Sequence, residues 1–220
     1  MDFLESILRF SLEELPFIVI ALIVAFTVHE FAHAYTALKF GDDTAAKKGR
    51  VTLNPIQHLD PFGTILILIA GFGWARPVPV NRFNLRRPRL HSILVTAAGP
   101  LSNFIIAFIS YGILFLLVNF GGSSEIMSFL VDLFNTMGYL NILLFVFNLL
   151  PFPPLDGYRI IEDLVSPRVR PTLVKYEQYG IVIFLIMVIT PLDQYTIWPF
   201  LEIGISTVNN AFILFYSSFF

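Results

Sequence analysis

Residues 15–40 read LPFIVIALIVAFTVHEFAHAYTALKF, and the reading of this stretch decides the fold. A helix needs about 20 apolar residues to cross a bilayer, and Leu15–Lys39 is long enough. Yet His29, Glu30 and His33 interrupt its apolar run. A His-Glu-x-x-His pattern sets two imidazoles at i and i+4, one above the other on a single helix face. Two such imidazoles can hold zinc, with the glutamate beside them as general base. Ionisable groups are costly inside a membrane, so they are candidates for function. The pattern therefore points to a metal-dependent hydrolase whose site lies in the bilayer, and the rest of the chain has to supply a third ligand.

The surrounding chain suits that setting. Its 220 residues are 56% hydrophobic and only 14% charged, with a mean hydropathy of +0.74. A soluble domain has about a quarter charged residues, so this composition belongs to a polytopic membrane protein. There is no cysteine, which excludes disulfides and thiolate-bound metal. No Gly-rich phosphate loop and no basic aromatic patch is present, and no nucleic-acid partner is expected. Asp2, Glu5, Glu13 and Glu14 argue against a cleaved signal peptide. Leu4, Ile7, Leu8 and Leu12 predict a short interfacial helix over Met1–Glu14 instead.

Further along, Phe62–Trp74 is apolar but short, contains Gly63, Gly71 and Gly73, and reads as a re-entrant segment. His91–Phe120 and Ile126–Leu150 are long enough to cross. Tyr176–Thr190 and Ile197–Phe220 close the chain. Arg50–Leu53 predicts a short strand or small β-hairpin near the site. The expectation is an all-α polytopic membrane protein with about six membrane segments, residues 1–220 forming one domain. Its core would cover about 15–170, with C-terminal segments over about 171–220.

Charge sets the topology. With Phe62–Trp74 re-entrant, the loops Lys39–Pro61, Ala75–Leu90 and Gly157–Lys175 share one side and hold 13 of the 14 basic residues, leaving Arg9 opposite. The positive-inside rule makes that side cytoplasmic, with five crossings, an outside N-terminus and an inside C-terminus. His33 lies six residues before Lys39, about 9 Å above the inner helix end. Asp156 also falls on the inner side, behind Pro151, Pro153 and Pro154 and before Gly157, where the helical ladder must break. It is the leading third ligand, and His58 with Asp60 is the rival pair. Asn103 and Asn148, amides within apolar runs, are candidates for binding substrate or an oxyanion, or for bridging helices. Gly71 and Gly73 are expected to let the re-entrant run flex or pack closely.

At this point the chain resembles the site-2 protease family of intramembrane zinc metalloproteases, in its minimal bacterial form. His29-Glu30-Phe31-Ala32-His33 is similar to the family's zinc motif. Asn148-Leu149-Leu150-Pro151-Phe152-Pro153-Pro154-Leu155-Asp156-Gly157 is similar to its second motif, and Gly99-Pro100-Leu101-Ser102-Asn103 to a recurrent segment. The resemblance implies one zinc ion per chain on His29, His33 and Asp156, with Glu30 as the proton-transferring base. It further implies transmembrane protein substrates, cut near their cytoplasmic side in the inner (cytoplasmic) membrane, either as regulated proteolysis or as clearance of signal-peptide remnants. The length leaves no expected room for the PDZ or CBS domain of larger members. Two rivals are an inactive homologue that only binds membrane helices and a metal transporter, although no internal repeat is present.

Overall fold

The computed structural model describes residues 11–70 and 73–219. The interfacial helix expected over Met1–Glu14 lies largely outside the described residues, as does Gly71. The described chain is mostly helical: α1 (Leu15–Lys39), α2 (Thr44–Lys47), α3 (Pro61–Ala70), α4 (Pro88–Phe120), α5 (Glu125–Asn148), α6 (Asp156–Leu164), α7 (Arg170–Ile189), α8 (Asp193–Thr196) and α9 (Trp198–Ser217). Pro16, Pro88, Pro171 and Pro199 sit in the first turns of α1, α4, α7 and α9, where a missing N–H costs nothing.

Four of these helices are long and apolar enough to cross a membrane, namely α1, α4, α5 and α7. That is fewer than the six segments expected. The ten residues of α3 extend about 15 Å, half of a hydrocarbon core of about 30 Å. In α9, Glu202, Asn209 and Asn210 dilute an otherwise apolar helix.

The spans differ in depth. In α1, 44% of the most apolar window is buried against other helices, but only 6% in α7, so α1 is central and α7 peripheral. Ile18, Ala21, Leu22 and Phe26 of α1 pack with Met137 and Leu140 of α5 and Ile67 of α3. Ala107 of α4, Ile142 of α5 and Phe212 of α9 form a second cluster, with Phe212 edge-on to Phe104 and Phe108. Ala21, Ala25 and Ala107 are completely buried, which lets helix backbones approach closely where lipid supplies no hydrophobic drive.

Two expectations are corrected. The strand over Arg50–Leu53 does not form; the backbone bends there, and the nearest pairing is an isolated antiparallel bridge between Leu59 and Ala75. Side chains satisfy this segment in place of a neighbouring strand. His58 Nε2 donates to the Thr52 carbonyl at 2.7 Å, and the Arg50 guanidinium donates to the carbonyls of Arg76 (2.6 Å) and Pro77 (3.3 Å). Likewise, the stretch Gly157–Lys175 after the run Ile126–Leu150 is not a loop throughout. The helix of that run, α5, stops at Asn148, a turn follows, and Asp156 is the first residue of α6, a helix within the stretch read as a polar loop. Gly157 is required by close approach: a Cβ there would meet the Leu149 carbonyl oxygen at 2.3 Å. Gly73 is similar, since its Cβ would meet the Gly63 carbonyl oxygen at 2.0 Å.

The loops that follow α1 and α3 are pinned together by one buried carboxylate. Asp42 accepts hydrogen bonds from the backbone N–H groups of Asn81 (2.6 Å) and Thr44 (3.0 Å), from Asn84 Nδ2 (3.0 Å) and from the Thr44 hydroxyl. Burial alone would raise its pKa, but these donors outweigh burial and hold the carboxyl below its ordinary value. A carboxylate with a lowered folded pKa contributes stability above its unfolded pKa of about 4 and loses it as the pH falls through the folded value. Asp42→Asn should therefore cost about 1–3 kcal/mol at neutral pH. Thermal unfolding of detergent-solubilised protein across pH should show this deficit shrinking in acid.

Candidate metal centre

The i, i+4 spacing of His29 and His33 on α1 brings their rings together, with centroids 4.6 Å apart. Asp156 arrives from α6. His29 Nε2 and His33 Nε2 lie 3.0 Å apart, and Asp156 Oδ2 is 3.2 and 3.3 Å from them. The ligand atoms of all three residues fall within 4.8 Å of one another, the one such group of His, Asp or Glu side chains among the described residues. Both histidines are buried and Asp156 is half-buried.

The far sides of the rings determine which nitrogen faces inward. His33 Nδ1 lies 2.8 Å from the Val95 carbonyl, which can only accept, so this nitrogen carries the proton. Behind His29 runs a chain of amides. Asn141 Nδ2 donates to the Met137 carbonyl (2.8 Å), which turns its Oδ1 toward Asn103 Nδ2 (2.9 Å). The same Nδ2 reaches the Ala25 carbonyl at 3.4 Å, so Asn103 presents Oδ1 to His29 Nδ1 at 2.7 Å. Both imidazoles are thereby fixed as Nδ1–H tautomers with Nε2 lone pairs directed at Asp156.

This donor set fits a zinc ion. Two nitrogen lone pairs and a carboxylate oxygen converge at distances close to the edges, about 3.3 Å, of a tetrahedron with zinc-ligand bonds of about 2.0–2.1 Å. Asp156 Oδ2 is buried and has no hydrogen-bond donor among the described residues. Three acceptors facing one another repel unless a cation lies between them. Two histidines, one carboxylate and no cysteine also match the ligand types of catalytic rather than structural zinc sites.

Glu30 is buried next to His29 on α1 and accepts from the Val78 N–H at 2.8 Å through Oε2. His58 and Asp60 stand apart. His58 is spent on the Thr52 carbonyl, and Asp60 Oδ1 caps the start of α3 through the Gly63 N–H at 2.9 Å. Asn148 donates to the Leu144 carbonyl of its own helix at 2.9 Å, while Asn103 is engaged with His29 and Asn141.

Sequence reasoning missed four parts of this arrangement: Asn141, the Val95 carbonyl, the Val78 N–H and the role of Gly99. Asn141 carried the usable signal of an amide within an apolar run. The two backbone groups carried none. At Gly99 a Cβ would meet His33 Nε2 at 2.3 Å and His29 Nε2 at 2.6 Å, so the helix backbone of α4 forms a wall of the site.

Comparisons with known proteins agree with the geometry. Residues 17–191 match Peptidase family M50. The chain is 54% identical over 211 residues to "Putative zinc metalloprotease YwhC" of Bacillus subtilis (strain 168), covering 95% of this chain and 96% of that protein. It is 30% identical over 174 residues to "Putative zinc metalloprotease Rip2" of Mycolicibacterium smegmatis, covering 77% of this chain and 65% of that protein. No solved structure gives a significant match.

Two substitutions test the wall and the amide chain. Gly99→Ala should abolish stoichiometric metal, because the added methyl occupies the space where the two Nε2 atoms meet. Asn103→Leu should weaken metal affinity about 10–100-fold, the usual effect of removing the partner behind a ligating histidine. Zinc titration with a competing chelator reads both.

Proposed function

The chain belongs to peptidase family M50 and is a zinc metalloprotease with membrane-spanning helices, and on that premise we propose that it is an intramembrane endopeptidase that cuts within transmembrane segments of other proteins. The observation that carries this reading is the convergence of Asp156 from α6 on His29 and His33, which together with Glu30 sit on α1, a helix long and apolar enough to span. His29, His33 and Asp156 would hold the ion. Bound there, zinc would polarise a peptide carbonyl and acidify a water.

The remaining work falls to the chain. Glu30 takes the proton of the attacking water and delivers it to the leaving amine. Its Oε2 is held by the Val78 N–H, which leaves Oε1 as the oxygen that receives the proton. The chain of Asn103 and Asn141 keeps His29 in the ligating tautomer. The surrounding helices keep bulk water away, which strengthens each of these interactions.

A transmembrane helix hides its peptide bonds, so the substrate must unwind locally before it is cut. The helix-free turn Pro151–Pro154, just before Asp156 in the chain, is where such a segment would pair, through the proline carbonyls. The charge distribution supports a multi-pass protein of the inner (cytoplasmic) membrane with its site in the cytoplasmic half of the bilayer and α3 re-entrant. In this reading residues 1–220 act as one unit, with the catalytic core over about 15–170. The substrates are single-span membrane proteins or signal-peptide remnants.

Paired variants test the mechanism. Glu30→Gln should keep zinc and lower cleavage of a model transmembrane substrate in proteoliposomes at least about 100-fold. Asp156→Asn should lose zinc and cleavage together. Full cleavage by Glu30→Gln would exclude the proposed proton transfer, and full zinc occupancy in Asp156→Asn would remove the third ligand.

A further inference from the structure

A second site lies at the far end of α6. Its cavity of about 770 Å³ is bounded by Arg82, Arg89, Arg170 and Lys175, with Asp163 as the one carboxylate on its wall. Arg82 and Arg170 both reach Asp163, and Arg170 also binds Glu162 at 2.6 Å. Even with Glu162 counted, four cationic side chains face two carboxylates. Arg89 is not neutralised by an acid at all in its observed bonds. It donates to backbone carbonyls at the end of α6, those of Asp163 (2.7 Å), Leu164 and Val165 (3.1 Å).

The position of the cavity is as informative as its charge. Pro88, the first residue of α4, and Pro171, the second of α7, both line it. Both helices are candidate spans, and the charge-based topology turns their basic starts toward the cytoplasmic membrane–water boundary, where lipid phosphates lie. The positive ends of two helix dipoles therefore add to the four basic side chains. Val165 and Val174 supply an apolar rim that an isolated inorganic anion would not use but a glycerol backbone would. Basic pockets between membrane helices on the cytoplasmic side are suited to anionic head groups.

We propose that this cavity binds the phosphate-bearing head group of an anionic phospholipid. The bound lipid would lie against Arg89 and Arg170, which hold the end of α6 at Asp163, seven residues and two turns from Asp156, and so brace the helix that presents the third metal donor. The proposal rests on α4 and α7 crossing the bilayer and is independent of peptide hydrolysis.

The test uses the whole protein in nanodiscs of equal parts phosphatidylcholine and phosphatidylglycerol, followed by native mass spectrometry of the lipids retained. The wild type should retain phosphatidylglycerol in preference to phosphatidylcholine, and the Arg89→Ala/Lys175→Ala variant should lose that preference at least about tenfold. Lys175→Glu leaves the bonds between Arg89 and α6 in place, so the same loss there cannot come from a frayed α6. Equal retention of the two lipids by the wild type, or undiminished retention by both variants, would overturn the site. In phosphatidylcholine-only discs, inorganic phosphate that raises the melting temperature as much as phosphatidylglycerol would assign the cavity to a soluble anion and overturn the lipid. Zinc content and substrate cleavage, measured on the same samples, fail or hold separately from lipid retention.

Discussion

Three electron-rich atoms, His29 Nε2, His33 Nε2 and Asp156 Oδ2, face one another within 3.0–3.3 Å in the apolar interior. Much of the polar structure exists to hold them in that unfavourable arrangement. A neutral imidazole free to choose its tautomer would turn an N–H inward and form a hydrogen bond with its neighbour. That escape is closed from behind, because the Val95 carbonyl and the Asn103 Oδ1 each require an N–H from the opposite ring nitrogen. The strain of converging lone pairs is thus imposed by hydrogen bonds that are themselves buried and satisfied, and a cation relieves it.

This constraint explains the helix packing. The amide chain behind His29 needs α4 and α5 side by side with α1, since Asn103 and Asn141 are on the first two and the Ala25 carbonyl is on the third. Such an approach is possible only where side chains are small. Ala21 and Ala25 of α1 and Ala107 of α4 are completely buried, and Gly99 brings the α4 backbone against the imidazoles. In lipid, where apolar contact between helices gains little over contact with acyl chains, close packing and interhelical hydrogen bonds supply the association. Here the same bonds orient a ligand, so the stability of the bundle and the geometry of the site are one problem.

The legible parts of the chain are those governed by local rules. Leu15–Lys39 was readable as a span, and His29, Glu30 and His33 as a site within it, because periodicity and desolvation act along one helix. Asp156 was readable as an inward-facing carboxylate from the prolines before it, but its element was not. The basic residues Arg159, Arg168, Arg170 and Lys175 suggested loop, whereas α6 is stabilised by tertiary contacts with Arg82, Arg89 and Arg170, which no local pattern encodes. Asn103 was singled out for its polarity, though polarity alone could not separate an oxyanion donor from the partner of an imidazole. The strand expected at Arg50–Leu53 failed for a related reason. Its β propensity was real, but Arg50 and His58 supplied side-chain bonds where a strand would have needed a neighbour.

The loop between α3 and α4 shows why the third donor can sit on so short a helix. Its Val78 N–H holds Glu30. Four residues later Arg82 pairs with Asp163, and Arg86 N–H then bonds the Phe40 carbonyl at the end of α1 at 3.0 Å. One segment outside the spans therefore touches the base, the helix that carries two metal donors and the helix that carries the third. Nine residues of α6 would be marginal alone, since isolated helices need about 12–15 residues to persist in water. Anchored at one end by the turn before Asp156 and at the other by Arg82, Arg89 and Arg170, α6 has little freedom left. The position of Asp156 is thus set by ion pairs and hydrogen bonds to segments outside the long apolar helices, while that of the histidines is set by packing and hydrogen bonds among those helices.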